Sequence, residues 1–92
     1  MSKGSDMLLD AARTIAERGR VYGDSAVNMA TTARLWSTVL GFDVTGAQVA
    51  LCLIQLKVAR LLVTPGHVDS VLDVAGYAAV LRECMEDVDG HG

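Results

Sequence analysis

Apolar residues recur along this chain at the spacing of helices, and almost nothing alternates as a strand would. A first helix is expected from a cap at Ser5 or Asp6 to about Arg18, with Leu8, Leu9, Ala12, Ile15 and Ala16 on its apolar face. Gly19 and Gly23 then break the pattern, and Asp24 or Ser25 can cap a second helix running to about Leu40. Val27, Ala30, Leu35, Trp36 and Val39 would face its core, and Gly41 is a natural stop. Thr45 followed by Gln48 has the form of a capping box. The third helix opens there and then reads Val49 to Val63, apolar nearly all round, the pattern of a helix central in a bundle or packed between subunits. Thr64-Pro65 offers a cap and a first-turn proline for a fourth helix reaching about Met85. The expected fold is therefore all-α: one domain over residues 1–92, a four-helix antiparallel bundle with residues 1–5 and 86–92 flexible.

Composition adds association to this picture. Hydrophobic residues make up 51% of 92 positions, and the mean hydropathy is +0.34. A short chain cannot enclose that much apolar surface alone, so a homo-oligomer is expected. The net charge of -3 and the lack of any basic run exclude the footprint of a duplex-DNA binder. The longest apolar stretch, Ala47 to Val63, is interrupted by Gln48, Gln55, Lys57 and Arg60, which argues against a membrane span. The amino terminus has no secretory signal, and Cys52 and Cys84 lack the spacing of a metal knuckle or redox motif. They read as small buried thiols in a reducing cytoplasm.

The candidate chemistry begins with Lys57 and Arg60, three residues apart in the apolar third helix, where each needs a partner to offset desolvation. Asp69, Asp73 and Tyr77 form a stripe on the fourth helix, and a short hairpin would bring the two groups together. Three readings compete. The cluster is an ion-pair network that fixes helix register; or the two aspartates share a magnesium ion; or Lys57 and Arg60 grip a phosphate that the aspartates help to orient. Gly76 leaves room for close helix packing or for a flat ligand.

The segment Arg18 to Asp24 is a second candidate. Arg18 and Arg20 flank Gly19, Tyr22 offers a stacking face, and the free amides opening the second helix can receive an anion. Its competing reading is an ordinary interhelical turn. Asn28 and Trp36 could read a base, although a lone tryptophan in a small bundle is more often core. His67 is expected to be surface polar, with no second histidine at metal spacing. No serine or cysteine has an identifiable base partner, so covalent catalysis is not indicated.

The ordered set Arg18-Gly19-x-x-Tyr22-Gly23-Asp24, Asn28, Leu35-Trp36, Lys57-x-x-Arg60-Leu61 and Asp69-x-x-x-Asp73-x-x-Gly76-Tyr77-Ala78 resembles an uncharacterised family of small phage and prophage proteins. That family is distantly similar to the MazG-like all-α nucleotide pyrophosphohydrolases. The resemblance implies a helical, oligomeric protein in the host-cell cytoplasm that binds a nucleotide or a nucleotide-like phosphate. Asp69 and Asp73 would match the acidic pair of the later metal-binding helix, and Lys57 and Arg60 would face the phosphates. Those enzymes also carry glutamates on an earlier helix. Here the third helix has no acidic residue, and the second has none beyond Asp24 at its start, so no base for an attacking water is evident. The alternative is a non-enzymatic oligomeric interaction protein in which the charged cluster is structural.

Overall fold

The computed structural model describes residues 2–85. The expectation of a loose tail at residues 86–92 lies outside them. Four helices follow in order, α1 (Lys3–Tyr22), α2 (Ser25–Leu40), α3 (Gly46–Val63) and α4 (Val68–Cys84), with no strand among the described residues.

The first helix is longer than its sequence suggests at both ends. Ser2 caps it, its side chain accepting from the Ser5 N–H at 3.1 Å, so most of residues 1–5 is helical. Gly19 does not break it. An interior glycine costs roughly 0.5–1 kcal/mol against alanine, and packing of α1 on α4 offsets that. The helix stops at Gly23, whose φ of 85° and ψ of -172° suit glycine alone, and whose N–H donates to the Gly19 carbonyl at 3.0 Å.

Asp24 then caps α2 as expected, accepting from the Ala26 N–H. At the far end Gly41 takes the left-handed conformation with φ 82°. Ser37 ties the following loop to α2: its hydroxyl donates to the Ala33 carbonyl and accepts from the Val44 N–H at 2.8 Å. Both halves of the Thr45–Gln48 capping box are present. Thr64-Pro65 does not cap α4. The chain turns through it, and His67 supplies the cap, its Nδ1 facing the N–H and the hydroxyl of buried Ser70. Histidine at that place is absent from the usual capping preferences, so the sequence pattern pointed to the threonine instead.

The hairpin of α3 and α4 forms the centre; α1 packs mainly on α4, and α2 on α3. Small residues make the buried core: Ala11, Ala33, Val49, Ala50 and Val80. Alanine at the crossings lets helices approach closely, and larger residues are pushed to the margins. Leu8 and Leu9 are exposed, as are Val27, Leu35 and Val39. Trp36 is half-buried. The expectation of two buried thiols is also corrected, since Cys52 is exposed and Cys84 only half-buried. On α3 the outward face shows Leu51, Leu56, Leu62 and Val63 to solvent. With a mean hydropathy of 1.6 over 18 residues, this helix is long and apolar enough to cross a membrane by length and composition only, a test that the core helix of a soluble protein also passes. Lys57 sits on its inward side, less exposed than those leucines.

Candidate functional site

One groove of about 480 Å³ takes its lining from all four helices. α1 supplies Thr14, Ile15, Arg18, Gly19 and Tyr22; the joint and first turn of α2 supply Gly23, Asp24, Ser25 and Asn28. Lys57 comes from α3, and Asp73, Gly76, Tyr77, Val80 and Glu83 come from α4. Helical spacing explains the convergence. Thr14, Arg18 and Tyr22 lie one turn apart on α1, and Asp73, Gly76, Tyr77, Val80 and Glu83 follow three- and four-residue steps on α4.

The charge at the groove's inner wall is a pair. Lys57 Nζ lies 3.1 Å from Asp73 Oδ2, with the lysine side chain 13% exposed and the aspartate 38%. The carboxylate supplies the partner that a lysine inside an apolar helix needs. Arg18 differs, having no hydrogen bond or ion pair among the described residues. Asn28 donates through Nδ2 to the Tyr22 carbonyl at 3.0 Å, satisfying an acceptor left open at the end of α1 and holding the joint of α1 and α2 in shape. Gly76 has open space where a Cβ would stand, with nothing within 4 Å. It therefore widens the groove and is not a packing contact.

The rim near the end of α4 is acidic. The Cys84 thiol is pushed above its ordinary value, first by burial and then by the carboxylates of Asp24 and Glu83. Asp24 thus combines a helix cap with a negative charge at the groove's edge.

Several residues singled out from the sequence lie elsewhere. Arg60 is exposed and does not line the groove, and neither does exposed Asp69 in the first turn of α4. Arg20 pairs with Glu17 on the outer surface of α1. Trp36 lies farther along α2. Asp69 and Asp73 therefore do not meet as a pair in the groove. No group of three or more histidine, cysteine, aspartate or glutamate side chains suited to a metal exists among the described residues. Sequence reading missed Thr14, Ser25 and Glu83, all of which the helical stripes through Arg18 and Asp73 or the cap at Asp24 could have suggested.

Fold and groove together define a small all-helical protein with a mixed-charge, aromatic-walled cleft. The chain belongs to the family described as Domain of unknown function (DUF6378), which matches residues 6–85. It is similar to the Gene 55 protein of Mycobacterium phage L5, 40% identical over 68 residues that cover 73% of this chain and 44% of the phage protein. The Gene 55 protein of Mycobacterium phage D29 is 33% identical over 85 residues, covering 90% of this chain and 56% of its own length. The chain thus spans about half the length of these curated relatives. No solved structure matches it.

Proposed function

We propose that this phage-type protein binds a nucleotide or a nucleotide-like phosphate ligand in the groove lined by all four helices. The observation that carries the reading is the convergence of Arg18, Tyr22, Asn28, Lys57, Asp73 and Tyr77, distant in sequence, on one cleft. Few polar groups in a concave, partly apolar site are what small-molecule recognition requires. Arg18 offers a planar fork of donors to a phosphate, and Tyr22 and Tyr77 offer faces to a base. The open space beside Gly76 admits a flat group.

A resident magnesium ion at Asp69 and Asp73 does not fit this donor set. Asp73 is engaged by Lys57, and Asp69 is outside the groove. Magnesium enters only as a counter-ion that a phosphate ligand carries with it, and no hydrolytic step is assigned to this chain. The resemblance to MazG-like pyrophosphohydrolases read from the sequence motifs suggests a nucleotide as the ligand class; none of the matched proteins carries that name, and the reading rests on the groove.

Calorimetry of the chain against nucleotides, with and without magnesium, tests the reading. Saturable heat that disappears in Tyr77→Ala and Arg18→Ala supports it. Absence of heat with every nucleotide refutes it.

A second reading is favoured by the exposed apolar face of α3, where Leu51, Leu56, Leu62 and Val63 lie uncovered. Exposed apolar side chains gathered on one helix are a common feature of association sites. In that reading the protein is a homo-oligomer and Lys57–Asp73 serves the fold. A Leu62→Glu change would then shift the sedimentation coefficient to that of a smaller species, while an unchanged coefficient would count against it.

A further inference from the structure

We infer that the groove accepts a nucleoside monophosphate and discriminates against di- and triphosphates. This rests on the nucleotide reading above and sharpens it to a ligand class. The balance of charge carries it. Arg18 and Lys57 face three carboxylates, those of Asp24, Asp73 and Glu83. Lys57 and Asp73 neutralise each other at 3.1 Å, which leaves Arg18 against Asp24 and Glu83. One unpaired guanidinium can hold one phosphate group through two parallel hydrogen bonds. A second or third phosphate meets no second unpaired cation in this groove and lies in the field of two carboxylates.

The acidic end of the groove has an independent mark. Burial raises the Cys84 thiol first, and the Asp24 and Glu83 carboxylates raise it further. Charges that influence a thiol at the end of α4 also act on an anion entering beside them. With two tyrosines and a space at Gly76, the groove is built more for a base than for a polyphosphate. Each additional phosphate charge weakens binding by a few-fold in a partly solvated site of this kind, so a triphosphate is expected to bind roughly tenfold more weakly than the matching monophosphate.

The test is isothermal titration of the full 92-residue chain, without magnesium, with the four ribonucleoside monophosphates, their triphosphates and the unphosphorylated nucleosides. The expected result is that at least one monophosphate binds about tenfold tighter than its triphosphate and also tighter than its nucleoside. Arg18→Gln should bring monophosphate and nucleoside to equal affinity with the helical melting curve unchanged. Glu83→Gln should narrow the gap between monophosphate and triphosphate. A triphosphate that binds tighter than its monophosphate overturns the inference and leaves the nucleotide reading standing. A nucleoside as tight as its monophosphate overturns it too, because Arg18 then holds no phosphate. Absence of binding by all the ligands overturns both.

Discussion

Removing one member of the Lys57–Asp73 pair is expected to have unequal consequences depending on which member goes. Asp73→Ala leaves an ammonium group whose side chain is 13% exposed, set in an apolar helix without its partner. Loss of a charge-assisted hydrogen bond to a largely buried ion costs about 1.5–3 kcal/mol, below the 3–5 expected for a fully enclosed pair because the aspartate side of this pair reaches water. Taking about 2 kcal/mol, and 4–8 °C per kcal/mol for a domain of this size, the melting temperature should fall by roughly 8–16 °C. Lys57→Met fills the same volume with apolar atoms, and Asp73, 38% exposed, can hydrate; its cost should stay within about 1 kcal/mol. The double variant should then resemble Lys57→Met, giving a coupling of about 2 kcal/mol in the double-mutant cycle. Circular dichroism melting at one fixed chain concentration measures all four species, and fixing the concentration holds any association constant. The reasoning is refuted if Asp73→Ala melts with the parent, or if Lys57→Met loses more than Asp73→Ala.

Other outcomes follow from the same structure. Gly76→Ala should raise stability by roughly 0.5–1 kcal/mol, since its Cβ meets nothing, yet weaken nucleotide binding; stabilisation with unchanged affinity would remove Gly76 from the site. Gly23→Ala should lose about 1–3 kcal/mol in urea unfolding because a side chain must then adopt φ 85° and ψ -172°. Thr45→Ala, which removes half of the capping box, should cost about 1 kcal/mol by the same measurement. For Cys84 the folded pKa is raised, so its contribution to stability is complete below the unfolded thiol value and is lost as pH rises through the folded one. At pH 8 it should alkylate more slowly than exposed Cys52, and Asp24→Asn should speed it, as mass spectrometry after timed iodoacetamide treatment would show.

The parts of the fold that sequence made legible are those set by local chemistry. Thr45 with Gln48, Asp24 before α2 and Gly41 after it each satisfy backbone groups with residues a few positions away, and each sits where its pattern implies. Gly19 was misleading because its local cost is outweighed by tertiary packing that no short window contains. The same applies to the core. Leu8 and Ala11 both fit a helical period, and it is the fold that buries the alanine and leaves the leucine exposed. At the site, spacing within a helix grouped Asp73 with Tyr77, while Arg18 and Tyr22 were grouped as neighbours in an expected interhelical segment that is in fact the last turn of α1. Spacing also grouped Lys57 with Arg60, but the groove takes its lining from Lys57 and not from exposed Arg60. Glu83 carried no motif of its own. Its significance comes from α4 returning its end to the cap of α2, a relation between residues some sixty positions apart.

The groove's dependence on four separate helices has a thermodynamic consequence. A ligand held by residues from Thr14 to Glu83 has no binding site in any fragment or partly opened state, so its free energy of binding is added wholly to the native state. By mass action, ligand at a hundred times its dissociation constant would stabilise the chain by about 2.7 kcal/mol, a large share of what so small a core can supply. The ligand would then act as a fifth structural element, and the folded lifetime of the protein would report the ligand's concentration around it.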